Sequence, residues 1–267
     1  MKTLRIEWMK LKNYRTFWVL LAMTIVGSPA FNYSIYDLMD NSFPKIKGKS
    51  IIGSPFAFPD VWQTVTWNSS MLFIIPAILV ITLTCNEFTY RTHRQNIIDG
   101  WKRSQFVAVK IFEVFLLSLL MTLVVFLTVL YFGRFANKIP EGVDPWQNIR
   151  FIYFYFVEMI SYTMIAFLIS MFIKRAGLSM GIFFVYMVME QFAVGLLGSR
   201  YNKPWVAYFP EEVTDRLIPQ PYAQKLLSNK EAILRWENHI PLYLVIALLY
   251  LTKYILVTTL RFKKADL

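Results

Sequence analysis

The sequence predicts an all-α fold, a polytopic membrane protein of six transmembrane helices. Hydrophobic residues make up 56% of the 267 and charged residues only 17%, against roughly a quarter charged in a soluble domain. Mean hydropathy is positive, +0.43. Several windows of about 20 residues also lack the charge that a water-facing helix needs. The predicted spans are Thr16–Tyr36, Val65–Cys85, Ile111–Phe132, Ile149–Ile173, Leu178–Gly198 and Ile240–Leu260. Each is long enough to cross about 30 Å of hydrocarbon at 1.5 Å per residue. Asn68, Ser69 and Ser70 make the second span the most polar at its outer end. No repeat, low-complexity tract or linker divides the chain, so 1–267 reads as one membrane domain. A single cysteine, Cys85, leaves no internal disulfide to form.

The net charge of +11 is concentrated on one face, which argues against a nucleic-acid partner. With alternate loops assigned to the same side, the N-terminus, the loop 86–110, the turn Lys174-Arg175 and the C-terminal tail together hold 15 Lys and Arg against four acids. The opposite side is nearly balanced. The positive-inside rule therefore predicts both termini in the cytoplasm. The basic N-terminus followed by an apolar run ending in "SPA" at 28–30 is expected to be a retained first span, because a signal's apolar core is shorter.

Residues 1–15 place Leu4, Trp8 and Leu11 on one helical face with lysines and arginines largely elsewhere, the pattern of an amphipathic helix in the headgroup layer. Pro29 and Pro76 are expected to bend the first two spans. The outer segment 199–239 interleaves aromatics with charges, so it either rests on the outer interface or forms a solvated loop; within it, "NKEAILRWENH" reads as helical.

Enzymatic chemistry finds little support. Glu211, Glu212 and Arg216 in "EEVTDR" fit the E-E-x-x-x-R pattern of membrane CAAX-type proteases, but only two histidines exist, His93 and His239, and the topology puts them on opposite sides. "GKS" at 48–50 lacks the preceding glycine of a phosphate-binding loop, Phe43 standing in its place. No Cys/His spacing suits zinc, and no nucleophile has an evident base beside it. No cofactor or metal is expected. Besides Glu113, the spans hold Glu158 and Glu190 well inside and Lys253 about two turns from the inner end of the last. Such groups normally face protein or water and have a partner, so a Glu190–Lys253 pair is expected if the last two spans are neighbours. They form either a polar pathway or a packing pair.

The most specific signal is the hydrophilic interruption at 86–110, "NEFTYRTHRQNIIDGWKRSQFVAVK". It resembles the first cytoplasmic loop of ATP-binding-cassette (ABC) type-2 permeases, in which an acid, a Gly-Thr pair, an apolar run, a turn, a Ser-Arg pair and a lysine precede the third span. Glu87, Thr92, Gly100, Arg103 and Lys110 occupy matching places; Arg91 stands where glycine is usual and Lys102 where serine is usual. The resemblance implies a coupling helix that docks on a separate ATPase subunit, with Glu87, Phe88, Arg91, Thr92, Arg94, Gln95 and Arg103 as expected contacts. It also implies a pair of ATPase subunits, a second permease subunit (the same chain or another) and a bacterial plasma membrane, with surrounding lipid as a further partner. ATP hydrolysis would lie entirely in the partner chain. The alternative expectation is a stand-alone secondary transporter using Glu158, Glu190 and Lys253.

Overall fold

The computed structural model describes residues 2–42, 45–46, 49–50, 54–98, 100–136, 142–201, 204–222 and 230–264. Among the described residues the architecture is carried by α1 (Lys2–Lys12), α2 (Arg15–Ser42), α3 (Val61–Ser70), α4 (Ile74–Thr89), α5 (Thr92–Ile98), α6 (Arg103–Leu130), α7 (Arg150–Ile173), α8 (Ala176–Val194), α9 (Pro210–Asp215) and α10 (Lys230–Lys264). A π-helical turn extends α6 (Tyr131–Ala136) and another extends α8 (Gly195–Arg200), and a 3-10 turn spans Pro204–Tyr208. A two-residue antiparallel ladder pairs Lys45–Ile46 with Lys49–Ser50, so Lys49 and Ser50 of the "GKS" stretch begin no helix; Gly48 lies outside the described residues.

Among the described residues five helices are long and apolar enough to cross a membrane, and α3 with α4 supplies a sixth if the bent pair is one span. The bend is 45° and has a local cause. Pro76 has no N–H to give to Leu72, and the chain between the helices tightens into i→i−3 bonds: Leu72 to Ser69, Phe73 to Ser70 and Ile75 to Leu72, each 3.1 Å. Pro29 lies inside an unbroken α2. Two expected boundaries move. α6 begins at Arg103, so the last eight residues of the 86–110 interruption are helix, and α10 begins at Lys230 because "KEAILRWENH" runs directly into the last span.

α7 is the hub, packed against α3, α4, α6, α8, α9 and α10. Its sequence, RFIYFYFVEMISYTMIAFLISMFI, is apolar on every side, the pattern of a helix enclosed by others. Its small polar residues spend their hydroxyls on the turn below: Ser161 donates to Val157 O at 2.8 Å, Thr163 to Met159 O at 2.7 Å and Ser170 to Ala166 O at 2.6 Å. α2 and α8 lie at the periphery, with Val26, Tyr33, Val185 and Phe192 exposed as lipid-facing side chains would be. Phe262 near the end of α10 stacks on Phe106 at the start of α6, 4.9 Å between centroids. With α1 also packed there, both ends of the chain lie at one end of the bundle, here termed the near end.

The polar residues that dilute the second span are interhelix glue. Asn32 of α2 donates to Ser69 Oγ at 3.0 Å and to its own Ser28 O at 2.9 Å, while Ser28 and Ser69 hydroxyls meet at 2.8 Å. Asn68 donates to Asn32 Oδ1 at 3.1 Å and accepts from the Tyr222 hydroxyl at 3.1 Å. All but Tyr222 are buried. The segment 199–239 accordingly packs on the bundle where it is described. Tyr222 lies edge-on to Trp67 at 5.6 Å, and Trp236 stacks on Phe151 at 6.1 Å while donating its indole N–H to Arg216 O at 2.6 Å. Asn68→Ala strips partners from both Asn32 and Tyr222 and is expected to cost about 1–2 kcal/mol, read as a lowered unfolding midpoint in detergent with unchanged helical content.

Candidate functional site

At the near end, α6 carries Lys110 inward, where burial leaves its ammonium 4% exposed. A bare ammonium there would cost several kcal/mol, and three carboxyls offset it. Glu7 of α1 approaches at 2.6 Å, Glu87 of α4 at 2.9 Å and Glu113, one turn along α6, at 3.1 Å. Lys10 of α1 adds a second cation, 2.9 Å from Glu7 and 3.3 Å from Glu87, and also donates to Asn96 Oδ1 of α5 at 3.4 Å. Burial alone would raise the Glu7 carboxyl, but Lys110 and Lys10 overcome it and hold it at about 2.

Glu87 then ties α5 down. The Thr92 hydroxyl donates to its carboxylate, and His93 Nδ1 lies 2.7 Å from its backbone carbonyl. Arg91, the residue before the helix, has φ +54°. That left-handed backbone costs an L-residue roughly 1–2 kcal/mol and is where glycine is at ease. A side-chain-bearing residue holds the turn here because the helix beyond it is fastened by Thr92, His93 and Asn96.

These bonds sort the residues singled out from sequence. Arg91, Arg94 and Gln95 are exposed, and with Ile98 (83% exposed) they occupy positions i, i+3, i+4 and i+7, one continuous outer stripe. Glu87 faces inward as an anchor. Thr92 is turned toward it, and Phe88 packs between the His93 ring (4.8 Å) and the Lys174 ammonium (5.3 Å). Arg103 lies half-buried in the first turn of α6. Glu7, Lys10 and Glu113 were missed. The available signal was the i, i+3 spacing of Glu7 with Lys10 and of Lys110 with Glu113. On α1, Glu7 is the inward anchor and Trp8 is 52% exposed; the Leu4 side chain lies outside the described residues.

A second constellation lies beneath α9, and it corrects the expected Glu190–Lys253 pair. Glu190 of α8 accepts the Tyr186 hydroxyl at 2.5 Å and the backbone N–H groups of Glu211 and Glu212 at 2.6 and 3.2 Å, so an acid from α8 caps the first turn of α9. Lys253 is turned outward on α10, 5.9 Å from the Tyr250 ring. At the other end of α9, Asp215 accepts the Tyr162 hydroxyl at 2.5 Å and Gln191 Nε2 at 3.2 Å. Glu158, one turn below Tyr162, is buried with Oε2 unpartnered, and both carboxyl oxygens of Glu211 are likewise buried and unpartnered. Among the described residues no Lys or Arg ion-pairs with Glu158, Glu190, Glu211 or Asp215. Burial, then the Glu190 and Asp215 charges, push Glu211 up to about 9; burial is also the main cause that pushes Asp215 to about 7. In "EEVTDR", Arg216 pairs with Glu212 at 2.6 Å, an i, i+4 contact on one helical turn. His93 of the two histidines lies at the near end beside Glu87. No three His, Cys, Asp or Glu side chains are gathered as metal ligands among the described residues.

An all-helical bundle with several membrane-length apolar helices, buried charge at one end and a tucked-in short helix, defines an integral membrane protein. The chain belongs to the family described as protein of unknown function DUF2705, which matches residues 19–267. No curated protein matches the chain.

The two constellations respond oppositely to change. Lys110→Met leaves the buried carboxyls of Glu7, Glu87 and Glu113 without their common cation and is expected to cost about 3–5 kcal/mol, seen as a large drop in unfolding midpoint. Glu113→Gln keeps Lys110 between Glu7 and Glu87 and is expected to be far milder. Under α9, Glu211 holds its proton when folded and loses it near 4.5 when unfolded, so stability falls as pH rises from 4.5 to about 9. Midpoints measured across that window should decline less in Glu211→Gln than in the parent.

Proposed function

We propose that this chain is the membrane-spanning subunit of an ABC type-2 transporter, exporting an amphipathic substrate such as a lipid-like molecule or peptide, driven by ATP hydrolysis on a separate subunit. The observation that carries the proposal is α5: a short helix fastened to α1, α4 and α6 through one buried charge cluster, with Arg91, Arg94, Gln95 and Ile98 left on its outer stripe. A solvated loop has no use for an 83%-exposed isoleucine or for a left-handed arginine held in place from below. A docking helix uses both, an apolar centre flanked by cations that meet acids on the right partner. The left-handed backbone at Arg91, where the family pattern carries glycine, further supports the resemblance.

In this proposal α3 and α4 form one bent span, making six. Both termini face the cytoplasm of a bacterial plasma membrane, and two such chains, identical or paired with a homologue, stand over two ATPases. ATP-driven closure of the ATPases displaces α5. The shared charge cluster carries that displacement into α4 and α6, which reshape a pathway between the two permeases. The chain itself hydrolyses nothing.

The carboxyl set under α9 favours a second reading, a proton-coupled secondary transporter using Glu158 and Glu190. Lys253, turned outward, has no part in that set. Two measurements separate the readings. Affinity purification of the tagged chain from its own host is expected to bring down an ATPase subunit. Arg94→Glu combined with Ile98→Asp, both exposed, is expected to abolish that capture and reduce transport at least tenfold with the unfolding midpoint unchanged. Transport by the purified chain alone, driven by a proton gradient, would overturn the ABC reading.

A further inference from the structure

Beneath α1 lies a cavity of about 300 Å³ walled by α1, α2, α4 and α6. Phe17, Leu21, Leu79, Leu117 and Leu120 make its walls apolar, whereas Lys110 and Glu113 line it at the level of the charge cluster. Trp8 and Trp18 meet edge-to-face at 6.3 Å beside its mouth, both about half exposed. Aromatic residues of this kind sit at the membrane–water interface. Away from Lys110 and Glu113 its walls offer water almost no partners. An apolar cavity of this size stays dry or holds an apolar ligand.

The polar end is unbalanced. Glu7, Glu87 and Glu113 share Lys10 and Lys110, three carboxyls to two ammoniums. Both lysines are already spent. Lys110 contacts all three acids, and Lys10 contacts Glu7, Glu87 and Asn96. Glu113 has Lys110 as its only cation among the described residues. Its side chain is 15% exposed, against 3% for Glu7 and 6% for Glu87. The surplus acid is therefore the one on the cavity wall, where one more ammonium would complete the cluster.

We propose that this cavity is a lipid-binding site, holding an acyl chain of a membrane phospholipid whose primary-amine headgroup pairs with Glu113. The apolar walls fix the chain below, the ammonium supplies the third cation above, and the two tryptophans flank the glycerol level. The site needs only that the chain lies in a bilayer and stands apart from the transport proposal. Lys12 and Arg15, exposed at the corner between α1 and α2, would draw anionic lipid to the same surface. Discrimination between headgroups is therefore the decisive reading.

The test uses the full chain in phosphatidylcholine nanodiscs given equal phosphatidylethanolamine and phosphatidylglycerol of matched chains, with lipid retained after release measured by native mass spectrometry. Phosphatidylethanolamine is expected to be retained about fivefold over phosphatidylglycerol, the ratio one partly exposed ion pair supplies. Glu113→Gln should erase the ratio and Glu113→Asp should keep it. Leu21→Trp, filling the cavity from a half-exposed position, should lose retained lipid of every headgroup; Leu120→Phe serves if that variant unfolds. Equal retention of the two headgroups by the parent, excess phosphatidylglycerol, or a ratio unchanged in Glu113→Gln overturns the proposal, as does undiminished lipid in a folded cavity-filling variant.

Discussion

The near end of the bundle depends on one ammonium. Lys110 Nζ is removed from water and surrounded by carboxyls from α1, α4 and its own helix, and no one of these pairs is separable from the others. A buried ion pair seldom adds stability over an apolar replacement, yet breaking one is expensive because a charge is stranded. The arrangement therefore acts chiefly as a constraint on geometry. α1 cannot lift away without taking Glu7 from Lys110, and α4 cannot rotate without taking Glu87. α5 follows Glu87 because Thr92 and His93 are bonded to that residue. Four helices are thus held in register at this end by one charged atom.

The region under α9 solves a similar problem by other means. There four acids gather with no ion-paired cation among the described residues, and hydroxyls, an amide and backbone N–H groups take the place of lysines. Glu7, compensated by Lys110 and Lys10, keeps its ionisation across the ordinary pH range, its carboxyl held at about 2. Glu211, buried with both carboxyl oxygens unpartnered and acids nearby, holds its proton instead. One chain thus carries a buried cluster built on two lysines and a second acidic one with no ion-paired Lys or Arg among the described residues.

Much of this was legible in the sequence, for reasons that differ by element. The spans were readable because lipid-length apolar runs have few alternatives, and α7 and α8 begin and end within two or so residues of expectation on all but the polar side of α8. The broken second span was signalled by Pro76 and by the polarity of Asn68–Ser70, although nothing local revealed that Asn68 and Ser69 bond to α2. α5 was readable as an amphipathic helix, but its facing was misassigned at Phe88 and Thr92. Periodicity over seven residues fixes a stripe without saying which side is covered, and only the distant Glu87 and Lys174 decide that. Glu7 and Lys10 escaped because the partners that make them an anchor, Lys110 and Glu87, lie about 80 to 100 residues away, and Glu113 because its neighbour Lys110 was read only as a marker of the third span's start. The Glu190–Lys253 expectation failed because depth in the membrane says nothing of azimuth: α8 turns Glu190 to α9, and α10 turns Lys253 outward.

Under the transport proposal, the same geometry explains why a handle and a hinge would sit where they do. A helix of seven residues has too little backbone hydrogen bonding to stand alone in water, and α5 stands because its inner side is bonded to Glu87 and Lys10. Force applied to its outer stripe therefore reaches the Lys110 cluster before it can melt the helix. From the cluster it passes into α4, whose 45° break at Met71–Phe73 separates it from α3. A rigid lower segment joined through a bent, proline-relieved turn to an upper segment fixed by Asn32 and Tyr222 can tilt without unwinding. α6, unbroken from Arg103 to Leu130, has no such relief and must move as one piece. Under the transport proposal the two helices that share Lys110 respond to one push in different ways, and that difference is what opens space between them.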